Sequence, residues 1–190
     1  MRTIVIFTLC CISCLLLTSC GKTHCPAFPE HLVDYFPYNK GDSLSFVNQH
    51  NDTLSFCVER GGATKKWSFG SNCKCECDTP SAFLFAIQIT KPKWTSIETK
   101  ISVGGYEKPY ISFTLGNGYL DMTTKGYNRL TLFEDTGKDP FDPKNSALFG
   151  ETVIIEDNDL QISRVVIVKG KGITEFYDQK YDFHWKSINN

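Results

Sequence analysis

The chain has 190 residues, enough for one domain with a sizeable core. Hydrophobic residues make up 41% of it, which excludes a disordered chain, and 20 Lys and Arg against 21 Asp and Glu exclude the large basic field that nucleic acid or an anionic membrane surface would call for. Aromatic residues reach 13%, led by 14 Phe, and that suits β packing better than a helical bundle.

The N-terminus has the form of an export signal. Arg2 supplies a positive start, residues 4–17 form an apolar run, and small residues follow. The run is too short, and too soon followed by small polar residues, for a membrane-spanning helix. It closes on Leu17-Thr18-Ser19-Cys20, which resembles the lipobox of bacterial lipoproteins. The resemblance implies a signal peptide over residues 1–19, removed so that Cys20 becomes the new N-terminus with its sulfur diacylglycerated and its freed amine open to acylation. Two or three acyl chains on one residue anchor stably where one would be marginal. Removing residues 1–19 takes away Arg2 alone, so Lys and Arg fall to 19 against 21 acids, a net charge of −2. The expected location is the cell envelope, anchored in the outer membrane. The tether Gly21-Lys22-Thr23-His24 lacks the acidic run linked to surface export in Bacteroidetes-type lipoproteins, so the periplasmic face is favoured.

The rest, residues 20–190, reads as a single all-β domain on a short lipid tether. Residues 29–36 predict the one short helix, ended before Pro37. Residues 43–47 and 53–59 alternate apolar and polar, with turn-rich Asn48 to Asp52 between them, and predict a hairpin. Gly61-Gly62 is expected to break the chain, and residues 66–69 to give a short strand before the next run. Residues 82–90 are nearly apolar throughout, which predicts a central strand covered on both sides. Residues 94–103 alternate again. Residues 110–115 and 119–123 flank Gly116-Asn117-Gly118, a tight-hairpin signal, and residues 128–133 follow. After an irregular stretch over 134–150, strands are expected at 152–155, 160–169, 173–177 and 181–185. About eleven strands at short spacing without β-α-β alternation predict an antiparallel β-sandwich or β-barrel.

Nine cysteines are present. Cys10, Cys11 and Cys14 leave with the leader, and Cys20 is consumed by lipid. Cys25, Cys57, Cys73, Cys75 and Cys77 then face an oxidising compartment, where disulfides are the default. Five is odd, so two bridges and one leftover thiol are expected, with several pairings open. On a strand, the cysteines of Cys73-Lys74-Cys75-Glu76-Cys77 would share one face, a geometry that favours bridges to other segments. Cys57 is the natural partner, because it points away from Leu54, Phe56 and Val58; Cys25 is a second. A zinc site is the alternative, but CxCxC is not the usual CxxC spacing.

No nucleophile elbow, zinc-helix motif, Walker loop or dinucleotide glycine pattern occurs, so no catalytic residue, metal or cofactor is assigned. His24, His31, His50 and His184 lack ligand spacing, and His184 is expected on the strand face opposite Phe183 and Trp185. The acidic stretch from Glu134 to Asn145 offers oxygen ligands but no EF-hand pattern, so a solvated loop is expected rather than calcium. Trp67, Trp94 and Trp185 could stack on sugars; core packing is the simpler expectation. Asp42-Ser43-Leu44 and Asp52-Thr53-Leu54 resemble the O-glycosylation triplet of Bacteroidetes-type exported proteins, with Ser43 and Thr53 as the acceptors.

Tyr38-Asn39-Lys40-Gly41-Asp42-Ser43-Leu44-Ser45-Phe46-Val47-Asn48 with Asp52-Thr53-Leu54 looks like the opening hairpin of uncharacterised Bacteroidetes-type lipoproteins. Val168-Lys169-Gly170-Lys171-Gly172-Ile173-Thr174-Glu175-Phe176 is similar to the closing strand pair of that group. The resemblance covers the two ends and carries over no activity. Two functions follow as expectations. One is a non-enzymatic, lipid-anchored module that contacts a protein or envelope partner. The alternative is a carrier or receptor holding a lipid or glycan in an open barrel, with a hydrolase as a third reading.

Overall fold

The structure, a computed structural model, describes residues 27–63, 81–90, 95–103, 108–117, 129–134, 137–145 and 148–188. All of them fall within one compact unit, residues 27–65 and 79–190. The predicted strands at 66–69 and 119–123 lie outside the described residues, as do Cys20, Cys25, Cys73, Cys75, Cys77, His24, Trp67 and Trp94.

Ten strands are described: β1 Ser43–Val47, β2 Thr53–Ala63, β3 Ser81–Gln88, β4 Thr95–Ser102, β5 Tyr110–Asn117, β6 Arg129–Phe133, β7 Thr152–Glu156, β8 Ile162–Val168, β9 Gly172–Asp178 and β10 Phe183–Ser187. They form one antiparallel sheet in the order β6-β5-β4-β3-β2-β1-β10-β9-β8-β7. Strands next to each other in sequence therefore pair throughout, except β6 with β7, and β10 returns to β1 through Phe46↔Ser187 and Val47↔Lys186. This is an up-and-down barrel, nearly closed, with one seam between β6 and β7. The seam has a cause in the chain. The other described hairpin turns are short, but β6 and β7 are joined by a long connection whose Leu148 and Phe149 are buried in the core.

The alternation read from the sequence fixes the two faces of the wall. Leu44 and Phe46 of β1, Phe56 and Val58 of β2, Ile97 and Ile101 of β4, and Ile111 and Phe113 of β5 are all at most 4% exposed. Residues between them point out, as a two-residue period requires. The interior is filled. Phe113 on β5 and Phe176 on β9 stand on distant walls, yet their rings meet at 6.1 Å. Phe176 also lies 5.1 Å from Phe46 and 6.0 Å from Trp185. Aromatic rings from several walls thus meet in the middle of the barrel, consistent with close packing rather than a lumen.

The short helix forms as a 3-10 helix, Glu30–Tyr35, and Pro37 follows. Its Leu32 and Tyr35, with Phe28 and Phe36 beside it, are buried in the core. The Tyr35 hydroxyl donates to the Gly150 carbonyl at 2.8 Å, and the Gly170 N–H donates to the Asp34 carbonyl at 2.7 Å. The helix therefore plugs the barrel end where β1 begins and the β8–β9 turn lies.

Three local expectations change. Gly61 and Gly62 do not end the strand: β2 continues through them to Ala63, past an irregularity between Val58 and Arg60. The reason is close approach. A Cβ on Gly61 would meet the Tyr38 carbonyl oxygen at 2.7 Å, and Gly62 holds φ at +110°. Gly116 and Asn117 belong to β5 and pair with Ser96 and Thr95, so no tight turn is centred on them. The apolar strand β3 is central, between β2 and β4, but one face is not fully covered. Ala82, Leu84, Ala86 and Gln88 are buried, whereas Ile87 is 39% exposed on the outer wall and Ile89, just beyond the strand, 52%.

Candidate functional site

At the plugged end the chain builds a polar cleft of about 340 Å³. Pro37 and Tyr38, just after the 3-10 helix, form one wall. Asp42, Ser43 and Leu44 at the start of β1 form another. Gly170 and Lys171 of the β8–β9 turn, with Ile173 of β9 and Ser187 of β10, complete it. Leu44 and Ser187 lie on the inner face by alternation, so the cleft dips into the barrel rim beside the β1–β10 junction.

Tyr38 sets this geometry. Its hydroxyl accepts the Ile173 N–H at 2.8 Å and donates to the Lys171 carbonyl at 3.4 Å. Burial pushes the phenol up to about 12, because the neutral form is favoured away from water. The close approach requires glycine at 172. Its φ is +79°, and a Cβ there would fall 2.2 Å from the Tyr38 oxygen. Asp42 is held by accepting the Asn39 N–H at 2.7 Å on Oδ2, while the Asp42 carbonyl takes the Val58 N–H at 2.9 Å. Lys171 is exposed at the tip of its turn. The cleft is thus lined by one acidic residue, one basic residue and Ser187 over buried Leu44 and Ile173, with Ser43 at its outer edge.

Ser43 and Thr53 are both exposed, each one residue after an Asp and one before a leucine on the inner side of the wall. They sit at opposite ends of the β1–β2 hairpin, paired with Cys57 and Val47. Cys57 is half-buried on the outer wall between Ser43 and Ile87, away from buried Phe56 and Val58, and it carries a free thiol. The four cysteines named with it as disulfide candidates lie outside the described residues.

Trp185 is 6% exposed and belongs to the core. His184 points outward beside it and stacks on Tyr177 at 4.2 Å. His50 meets the edge of Phe183 at 5.8 Å, and His31 lies half-buried on the plug. Among the described residues no three His, Cys, Asp or Glu side chains gather as metal ligands. In the acidic connection, Asp139 accepts the Phe141 N–H and Asp142 the Lys144 N–H, each at 2.9 Å. These carboxylates close local turns, as aspartates in loops commonly do. The cleft itself had no sequence signature, because its walls come from four segments between residues 37 and 187. Glycine on both sides of Lys171 was its nearest trace.

Comparison of the chain with family models, curated proteins and solved structures finds no match.

Proposed function

We propose that this protein is a lipid-anchored envelope lipoprotein that acts without catalysis, by binding through its outer wall and rim. The observation that supports this most is the filled interior: Phe113 and Phe176 meet at 6.1 Å across the barrel, where a carrier would keep an apolar lumen. An acyl chain or a buried glycan has no room at that level, so recognition falls to the surface. The anchor follows from the Leu17-Thr18-Ser19-Cys20 lipobox, with acyl chains on Cys20 making the membrane the first partner. In this reading Cys57 stands ready for a bridge to one of Cys25, Cys73, Cys75 or Cys77 in an oxidising compartment.

Metabolic labelling with palmitate tests the anchor. The expected result is label on the wild-type chain and none on Cys20→Ala. Equal label on both would reject lipidation at Cys20. For the binding mode, an extracted lipid seated inside the barrel would reject the reading.

A further inference from the structure

We infer that the cleft at the plugged end is a binding site for a small neutral hydroxylated ligand, of the size of a mono- or disaccharide. This rests on the reading that the chain acts by binding, but it does not need the anchor. Three features of the cleft select the ligand class.

The first is size. At about 340 Å³ it lies at the small end of ligand pockets, which run from about 300 to 1,000 Å³. It is open at the rim and does not continue into the packed barrel, so a long acyl chain does not fit.

The second is charge. Asp42 and Lys171 put one negative and one positive residue in the lining of the cleft. A phosphate or carboxylate ligand would meet the Asp42 carboxylate, and an amine or metal cation would meet Lys171. A neutral molecule with many hydroxyls suits both, because a hydroxyl donates to a carboxylate and accepts from an ammonium. Ser187, on the inner face beside the β1–β10 junction, adds a hydroxyl that does either.

The third is the apolar surface. The Pro37 ring is exposed on one wall and offers a non-polar face beside these polar groups, above buried Leu44 and Ile173. A sugar ring has such a face in its axial C–H groups, and an inorganic ion has none. The site is also preorganised. Tyr38 pins the Lys171 carbonyl and the Ile173 N–H, and Asn39 pins Asp42, so little backbone ordering is left for binding to drive.

The test is a titration of the purified full chain, followed by backbone amide NMR. The probes are glucose, galactose, N-acetylglucosamine, cellobiose and lactose, with inorganic phosphate and putrescine as charged comparisons. The expected result is saturable shifts at Tyr38, Asp42, Lys171, Ile173 and Ser187 with at least one sugar, at a dissociation constant of about 1 mM or tighter. Asp42→Asn keeps an oxygen for the Asn39 N–H, and Lys171→Gln keeps the side-chain stem. Each should weaken binding about tenfold, as loss of one charge-assisted hydrogen bond does, with melting temperature unchanged. Gln49→Ala, at the opposite barrel end, should leave affinity unchanged. No shift with any sugar, shifts elsewhere, stronger binding of phosphate or putrescine, or affinity indifferent to both cleft variants would each overturn the site. The Cys20→Ala chain should bind sugar as wild type does. Sugar binding without palmitate label rejects only the anchor, and label without sugar binding rejects only this cleft.

Discussion

The two ends of the barrel are closed in different ways. At the plugged end, residues far apart in sequence meet: Tyr35 reaches Gly150, Asp34 reaches Gly170, and Tyr38 reaches Lys171 and Ile173. At the other end the described turns close largely on themselves. The Asn48 Oδ1 accepts the His50 and Asp52 N–H groups at 2.9 Å, and Asp157 accepts the Asp159 N–H at 3.0 Å. Two glutamines tie turns together: Gln179 donates to the Asn158 and Leu160 carbonyls at 3.0 and 2.6 Å, and Gln49 donates to the Asp182 carbonyl and accepts the His184 N–H. The difference teaches where shape is stored. Turns made of local Asx bonds form wherever the hairpin forms. The plugged end exists only when both halves of the chain are in place, and that is where a cleft is built.

The largest loss is expected at neither end but at the centre they share. Phe176→Ala removes a ring that is 2% exposed and touches Phe46, Phe113 and Trp185. It should cost about 3–5 kcal/mol in urea unfolding. A loss under about 1 kcal/mol would mean the interior is not packed as described. Next comes Gly172→Ala, which combines positive φ with a clash on Tyr38 and should cost about 2–3 kcal/mol. Gly170→Ala, in the same turn at φ +78° but with open space around its Cβ, should cost only about 1–2 kcal/mol. Equal losses for the two glycines would break the claim that tyrosine approach sets the position of this turn.

A smaller effect tells the ends apart by pH. Burial holds the Tyr35 and Tyr38 phenols at about 12, above the ordinary value of 10.0. A raised tyrosine contributes stability that is complete below pH 10 and is lost as pH rises through 12. Stability should therefore fall across that window, and the fall should be shallower in Tyr38→Phe. At the opposite end, Gln49→Ala removes exposed hydrogen bonds only and should cost under about 1 kcal/mol. Thermal melts in which Gln49→Ala loses more stability than Gly172→Ala would invert the comparison.

The same contrast explains what could be read in advance. Period-two alternation located β1 at Ser43–Val47 and placed Leu44, Phe46, Phe56 and Val58 inside, because facing depends only on near neighbours in the chain. The one short helix before Pro37 was legible for the same reason. Gly61 and Gly62 misled, since Gly61 is there for Tyr38, which approaches from outside the strand, and Gly62 for a positive φ inside it. Gly116 and Asn117 misled because the pairing with β4 outweighed local turn chemistry. The apolar run of β3 showed its central position but not that the outer wall at Ile87 would stay open. The cleft was hidden because no single segment contains more than three of its residues. Of the sites named from sequence, Ser43 lines it and Cys57 pairs with Ser43 from the neighbouring strand.

Native mass spectrometry of the protein taken gently from its membrane tests the central claim most directly. The account predicts a mature chain beginning at Cys20, heavier by covalent acyl chains and carrying no additional lipid held non-covalently. An unmodified Cys20, or a stoichiometric lipid released only when the barrel unfolds, would contradict it.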